Sequence, residues 1–174
     1  MTKLEAGAIE PRTEPVDIDD IVGSALERAG RILARHRVTV HLAANLPMLK
    51  LDPVLFEQVL FNILDNAAKY APEKTEIELR AQRDEGVVRF EIIDNGPGIP
   101  PEDLARIFDK FYRVSIADNR RVGTGLGLAI CKGFVEAMGG TIAGANRRDR
   151  TGAVFTITFP LALALDQPSE ETVA

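Results

Sequence analysis

Two amide side chains one helical turn apart, Asn62 and Asn66, stand just ahead of Lys69 and Tyr70. Further along, Asp94 opens the run Asp94-Asn95-Gly96-Pro97-Gly98-Ile99-Pro100, and Gly123-Thr124-Gly125-Leu126-Gly127-Leu128 leads into a second helical stretch. An asparagine oxygen is a hard, neutral ligand suited to Mg²⁺ that already holds phosphate oxygens. Lysine brings a mobile point charge to phosphate, and a tyrosine offers a flat face to a purine. Asp94, beside a turn, can accept a hydrogen bond from an exocyclic amine, which selects adenine over guanine. Gly96 and Gly98 let a base approach the backbone closely. A glycine-rich entry to a helix points N–H groups and the positive end of the dipole at an anion. The ordered set suits a purine nucleotide with a metal-bound triphosphate.

Each part has a plainer reading. The asparagine helix can be a solvated face with a tyrosine at its edge, and the Asp94 run an ordinary Asx-type turn. The second glycine cluster can be a charged surface loop ahead of an amphipathic helix. Its spacing, Gly123, Gly125 and Gly127, is not the G-x-G-x-x-G of a dinucleotide fold, and no Lys-Ser or Lys-Thr follows as in a Walker A loop. Lys110, Arg113, Arg120 and Arg121 give the segment before it a positive balance. Phe108 and Phe111 read as hydrophobic anchors at the two ends of a lid.

The elements that must hold these residues follow from periodicity and capping. Asp17 or Asp19 caps a helix predicted over 18–35, with Ile21, Val22, Ala25, Leu26, Ala29, Ile32 and Leu33 at helical spacing. Residues 38–42 alternate as a strand, and 49–51 form a short second one. Asp52-Pro53 starts the asparagine helix, which runs to about Tyr70 before Pro72 stops it. Residues 76–82 and 87–94 make a hairpin joined through 83–86, and 101–108 a short helix. Residues 111–125 read as a loop, 126–138 as a helix ended by Gly139-Gly140, and 141–145 and 153–159 as two strands around a charged turn, 147–152. The expected fold class is α+β: a two-layer α/β sandwich with a mixed, mostly antiparallel sheet and about three helices on one face. Residues 1–16 read as a linker, 17–162 as the domain and 163–174 as a flexible, acidic-ended tail.

Composition narrows the classes. At 174 residues, 45% hydrophobic and 27% charged, the chain can bury one ordinary core. No stretch approaches the ~20 apolar residues of a membrane span, and the first residues lack the apolar core of a signal peptide. A net charge of -5 without a basic stripe argues against nucleic acid. The single cysteine, Cys131, reads as a small buried hydrophobe and excludes a cysteine metal cluster or internal disulfide, which fits a cytoplasmic setting.

The segments FNILDNAAKY (61–70), DNGPGIP (94–100), IFDKFYR (107–113) and GTGLGLAI (123–130), in that order, closely resemble the four nucleotide-binding boxes of sensor histidine kinases. That family belongs to the ATPase superfamily that includes gyrase, Hsp90 and MutL. More narrowly, LDPVLFEQVLFNILDNAAKYAP and GLAICKGFVEAMGGTIAGANR resemble the potassium-responsive branch of these kinases. The resemblance implies the Bergerat-type ATP-binding fold, with ATP and Mg²⁺ as ligands. It implies that Asn66 coordinates Mg²⁺ and that Asn62 lies beside the phosphates or metal-bound water. Lys69 would contact phosphate, Tyr70 would flank the adenine, and Arg113 would lie near the lid. Asp94 would bind the adenine amino group, with Gly96, Gly98 and Ile99 shaping its pocket. Gly123, Thr124, Gly125, Leu126 and Gly127 would form the phosphate side, and Thr156 would support the adenine through its hydroxyl.

The same resemblance implies a kinase acting on a histidine in a separate helical dimerisation domain, and then a response regulator. His36 and His41 lack the His-Glu-x-x-x-Pro context of such an acceptor and read as helix-end and strand residues. The start, residues 1–5, resembles the end of that helical domain, so the chain reads as a monomeric catalytic module of a membrane-anchored parent, itself making no membrane contact. A serine kinase of the anti-sigma-factor type and a non-enzymatic ATP-sensing module are the alternatives. Self-sufficient ATPases of the superfamily carry a water-activating glutamate one turn before the metal asparagine. Asn62 takes that place, so appreciable hydrolysis is not expected.

Overall fold

The computed structural model describes residues 9–109 and 127–165. Its elements are β1 (Glu14–Val16), α1 (Ile18–Arg28), β2 (Arg37–Leu42), β3 (Met48–Leu51), α2 (Pro53–Tyr70), β4 (Glu76–Asp84), β5 (Val87–Ile93), α3 (Gly127–Ala137), β6 (Thr141–Asn146), β7 (Ala153–Pro160) and β8 (Ala164–Leu165). A five-stranded sheet runs in the order β2-β4-β5-β7-β6, and a small one in the order β1-β3-β8. Only the β2–β4 pair of the large sheet is parallel. The three described helices cover this sheet, giving the two-layer sandwich expected from the sequence.

The start of α2 is defined by its cap. Asp52 Oδ1 accepts from the N–H groups of Val54 and Leu55 at 3.0 and 3.2 Å, and Pro53 sits where its missing N–H costs nothing. The other carboxylate oxygen accepts from Arg12 N–H at 2.8 Å, tying the incoming chain to the helix start. At the far end Ala71 turns extended (ψ 141°), as a residue ahead of proline must. Phe56, Val59, Leu60, Ile63, Leu64 and Ala67 recur at helical spacing and are all buried. The Phe56 ring meets Phe90 of β5 and Phe159 of β7 edge-on, at centroid distances of 5.0 and 5.4 Å, and forms the centre of the core.

Several boundaries differ from the sequence reading. α1 ends at Arg28 rather than near residue 35, because Ala29-Gly30 tightens into an i→i+3 turn (Gly30 N–H to Glu27 C=O, 3.2 Å). Leu33 stays buried although it lies outside the helix. The β4–β5 hairpin closes on Glu85-Gly86 alone, two residues shorter than expected. In place of a helix over 101–108 there is a 3₁₀ turn, Pro101–Asp103, followed by further turns. α3 ends as expected at Gly139-Gly140, where the Gly140 N–H donates back to Val135 C=O at 2.9 Å. The fold also takes in residues read as linker and tail: β1 and β8 flank β3, with Glu14 opposite Leu51 and Leu165 opposite Met48.

Candidate functional site

α2 presents Asn62, Asn66, Lys69 and Tyr70 on one half-buried flank beside its core stripe. The Lys69 ammonium lies 3.2 Å from the Asp65 carboxylate. The Asn66 side chain makes no hydrogen bond among the described residues, so its amide oxygen is available to a ligand. Asn62 is engaged: its Oδ1 accepts from Gln58 at 2.7 Å and its Nδ2 lies 3.4 Å from the Gly127 carbonyl, which accepts.

Asp94 stands at the exit of β5 and is 4% exposed. Its Oδ1 accepts from the N–H groups of Gly96 (2.8 Å) and Ala153 (3.1 Å), and its own N–H donates to Ala153 C=O at 3.0 Å. Oδ2 accepts nothing among the described residues. Burial pushes this carboxyl above the usual aspartate range. The Gly96 and Ala153 amides, then the charge of Arg147, pull it partly back. The result is a buried acceptor with one oxygen fixed by the backbone and one left for a donor.

The two motifs meet at Gly96. A Cβ there would sit 3.0 Å from the Tyr70 carbonyl oxygen, so the Asp94 turn lies directly against the end of α2. Gly98 adopts φ +84°, and a Cβ on it would come within 2.8 Å of Asn146 Oδ1. That asparagine holds Ile99 from both sides, accepting from its N–H at 2.6 Å and donating to its C=O at 2.7 Å. Arg147 donates to Asn95 Oδ1 at 3.0 Å and to the Asp94 carbonyl at 3.4 Å, while Asn95 donates to Glu76 C=O at 2.9 Å. The glycine turn is therefore stapled at Asp94, Asn95 and Ile99 to the facing ends of β6 and β7 and to Arg147 between them.

Asn146, Arg147, Gly152 and Ala153 escaped the sequence reading, which saw a charged turn and the first residue of a strand. Their partners, Ile99 and Asp94, lie about fifty positions away, and only backbone atoms of Ala153 take part. Thr156 needs correction. It pairs with Glu91 across β5–β7 and alternates with the buried Phe155 and Ile157, so it lies on the sheet face away from the helices. The Ala153 amide, rather than the Thr156 hydroxyl, reaches the aspartate.

Arg113, Gly123, Thr124, Gly125 and Leu126, with Lys110, Phe111, Arg120 and Arg121, lie outside the described residues. Phe108 meets Phe155 edge-on at 6.3 Å, as an anchor should. Cys131 is fully buried, and burial pushes its thiol up to about 12, in keeping with a structural role. His41 lies within β2 as expected, whereas His36, expected at a helix end, lies in the turn just before β2, because α1 already stops at Arg28. Gly127 differs from the other site glycines, since a Cβ there would meet nothing within 4 Å. Gly127→Ala is expected to stabilise the nucleotide-free chain by about 0.5 kcal/mol through helix propensity. A lower thermal midpoint would contradict this.

Residues 51–163 match the family described as histidine kinase-, DNA gyrase B-, and HSP90-like ATPase. Over 165 residues the chain is 38% identical to the sensor protein KdpD of Clostridium acetobutylicum, covering 94% of this chain and 18% of that one. The mycobacterial sensor histidine kinase MprB superposes with a TM-score of 0.74 at 31% identity, covering 85% of this chain and 97% of that one. Full-length ShkA in complex with AMPPNP gives a TM-score of 0.78 at 32% identity, covering 91% and 33%. The chain thus spans 18% of the length of the KdpD relative. Among the described residues, no helix is long and apolar enough to cross a membrane.

Proposed function

As the chain belongs to the histidine kinase-, DNA gyrase B-, and HSP90-like ATPase family and is the ATP-binding catalytic domain of a sensor histidine kinase, we propose that it grips Mg-ATP between the Asp94 turn and α2. It then presents the terminal phosphoryl group to a histidine on a separate dimerisation domain. The observation that carries this reading is Asp94: a buried carboxylate with Oδ1 held by backbone amides and Oδ2 open to a donor such as the adenine amino group. ShkA, which is similar over 91% of this chain, was solved in complex with AMPPNP, and this supports an adenine nucleotide as the ligand.

The donor set fits magnesium. Mg²⁺ keeps most of its shell as water and phosphate oxygen and takes few protein ligands, so one free asparagine oxygen at Asn66 suffices. Bound there, the ion would neutralise charge on the phosphates. Lys69, released from Asp65, would add a point charge on the same side. Phosphoryl transfer needs alignment and charge compensation more than covalent help. Neither Asn62 nor Asn66 can take a proton from water, since amides are not bases. Transfer to an incoming imidazole is favoured over hydrolysis.

We place the parent protein among KdpD-type kinases of potassium-responsive signalling. The acceptor histidine would come from its own dimerisation domain, and a KdpE-like response regulator would receive the group. Calorimetric titration with an ATP analogue tests the grip. Wild type is expected to bind more tightly with Mg²⁺ than without, and Asn66→Ala to lose most of that difference, roughly tenfold for one charge-assisted contact. An undiminished Mg²⁺ effect in Asn66→Ala would remove this residue from the metal site.

A further inference from the structure

Arg28, in the last turn of α1, lays its guanidinium 4.4 Å from the centroid of the Phe61 ring, and its Nη1 lies 3.8 Å from Glu57. Its Nη2 donates to Gln58 Oε1 at 2.7 Å. Gln58 Nε2 donates to Asn62 Oδ1, also at 2.7 Å. Asn62 in turn donates to the Gly127 carbonyl at 3.4 Å. The relay starts on α1, runs one turn along α2 and ends on the first residue of α3.

Its direction is set by chemistry. A primary amide looks alike from both ends except for which end carries hydrogens, so a neighbour decides its orientation. Arginine has donors only. Gln58 must therefore show it an oxygen, which leaves the Gln58 NH₂ for Asn62. Asn62 must answer with its own oxygen, which turns its NH₂ toward α3. The asparagine so oriented is a donor on the phosphate side, and a donor suits a phosphate oxygen where a cation would require the carbonyl.

We propose that Gln58 is a positioning residue of the nucleotide site. Polarised by Arg28, it turns Asn62 into a hydrogen-bond donor and ties the entry of α3 to α2. This rests on the ATP reading above and divides the labour between the two asparagines: Asn66 offers oxygen to the metal, Asn62 offers N–H groups to the phosphate and to Gly127. Sequence periodicity does not show this role, because Gln58 sits on the polar flank, one turn before the residue it acts on.

Titration of the 174-residue chain with a non-hydrolysable ATP analogue tests the relay. Gln58→Leu is expected to weaken binding about fivefold, the worth of one hydrogen bond. Gln58→Glu, of the same size, should give the same loss because a carboxylate cannot donate to Asn62. Added to Asn62→Ala, Gln58→Leu should cost no more than about twofold further. Arg28→Lys, still a pure donor, should stay within about twofold of wild type, whereas Arg28→Glu, an acceptor, should weaken binding like Gln58→Leu. Unchanged affinity in Gln58→Leu and Gln58→Glu, or full additivity with Asn62→Ala, overturns the proposal. A wild-type chain that binds no analogue overturns the ATP reading itself.

Discussion

Asp94→Asn is expected to abolish nucleotide binding while leaving the free protein at least as stable as wild type. Burial raises the Asp94 carboxyl above the ordinary aspartate range. An acid raised in this way favours the fold fully only below its unfolded pKa, and that contribution is lost as pH rises through the folded value. Ionising this carboxyl in the fold costs desolvation, and asparagine, which is neutral, removes that cost. The Oδ1 of asparagine can keep both backbone contacts, from Gly96 and Ala153, so its NH₂ falls where Oδ2 was. A donor then faces the adenine amino group, itself a donor. Losing a charge-assisted hydrogen bond and leaving a buried donor unpaired should weaken ATP-analogue affinity by roughly a hundredfold or more. Calorimetry reads the affinity and thermal unfolding the stability. An Asp94→Asn variant that binds within tenfold of wild type would end the assignment of this carboxylate to the base.

Gly152→Ala should damage fold and site together. Gly152 adopts φ +144°, a region open to glycine and closed to side chains, and a Cβ there would overlap the Asp94 carbonyl oxygen and crowd the Arg147 side chain. Strain and overpacking each cost about 1–3 kcal/mol, so a loss of about 3 kcal/mol or more is expected, a fall of about 10 °C in midpoint. Because the displaced atoms belong to Asp94 and to the arginine that holds Asn95, nucleotide affinity should fall even well below the melting temperature. A midpoint within 2 °C of wild type would show that this close approach is not needed.

Half-buried sheets advertise themselves. Ile77, Leu79 and Ala81 in β4 and Phe155, Ile157 and Phe159 in β7 alternate with polar neighbours, and those strands were legible within a residue or two. The capped helix α2 was legible for the same reason. The end of α1 was not, because Ile32 and Leu33 continue an apolar pattern that the core reuses after the helix has stopped. β1 and β8, three and two residues long, are too short to show any period. In the site, the residues proposed to hold the nucleotide were readable from their own chemistry, whereas the staples Asn146 and Arg147 act on distant backbone and carry no local signature. Thr156 was misplaced although the signal existed: with Phe155 and Ile157 inward, its hydroxyl had to point away.

The small sheet also dictates an order of assembly. The β4–β5 hairpin can close as soon as Ile93 has left the ribosome, since its strands are joined by only Glu85-Gly86. β3 pairs early with β1 but meets its other neighbour only when Leu165 emerges to lie beside Met48. During synthesis one edge of β3 therefore waits, unpaired, until every other described element has emerged, and it is covered only by the two-residue β8, the shortest of the described strands.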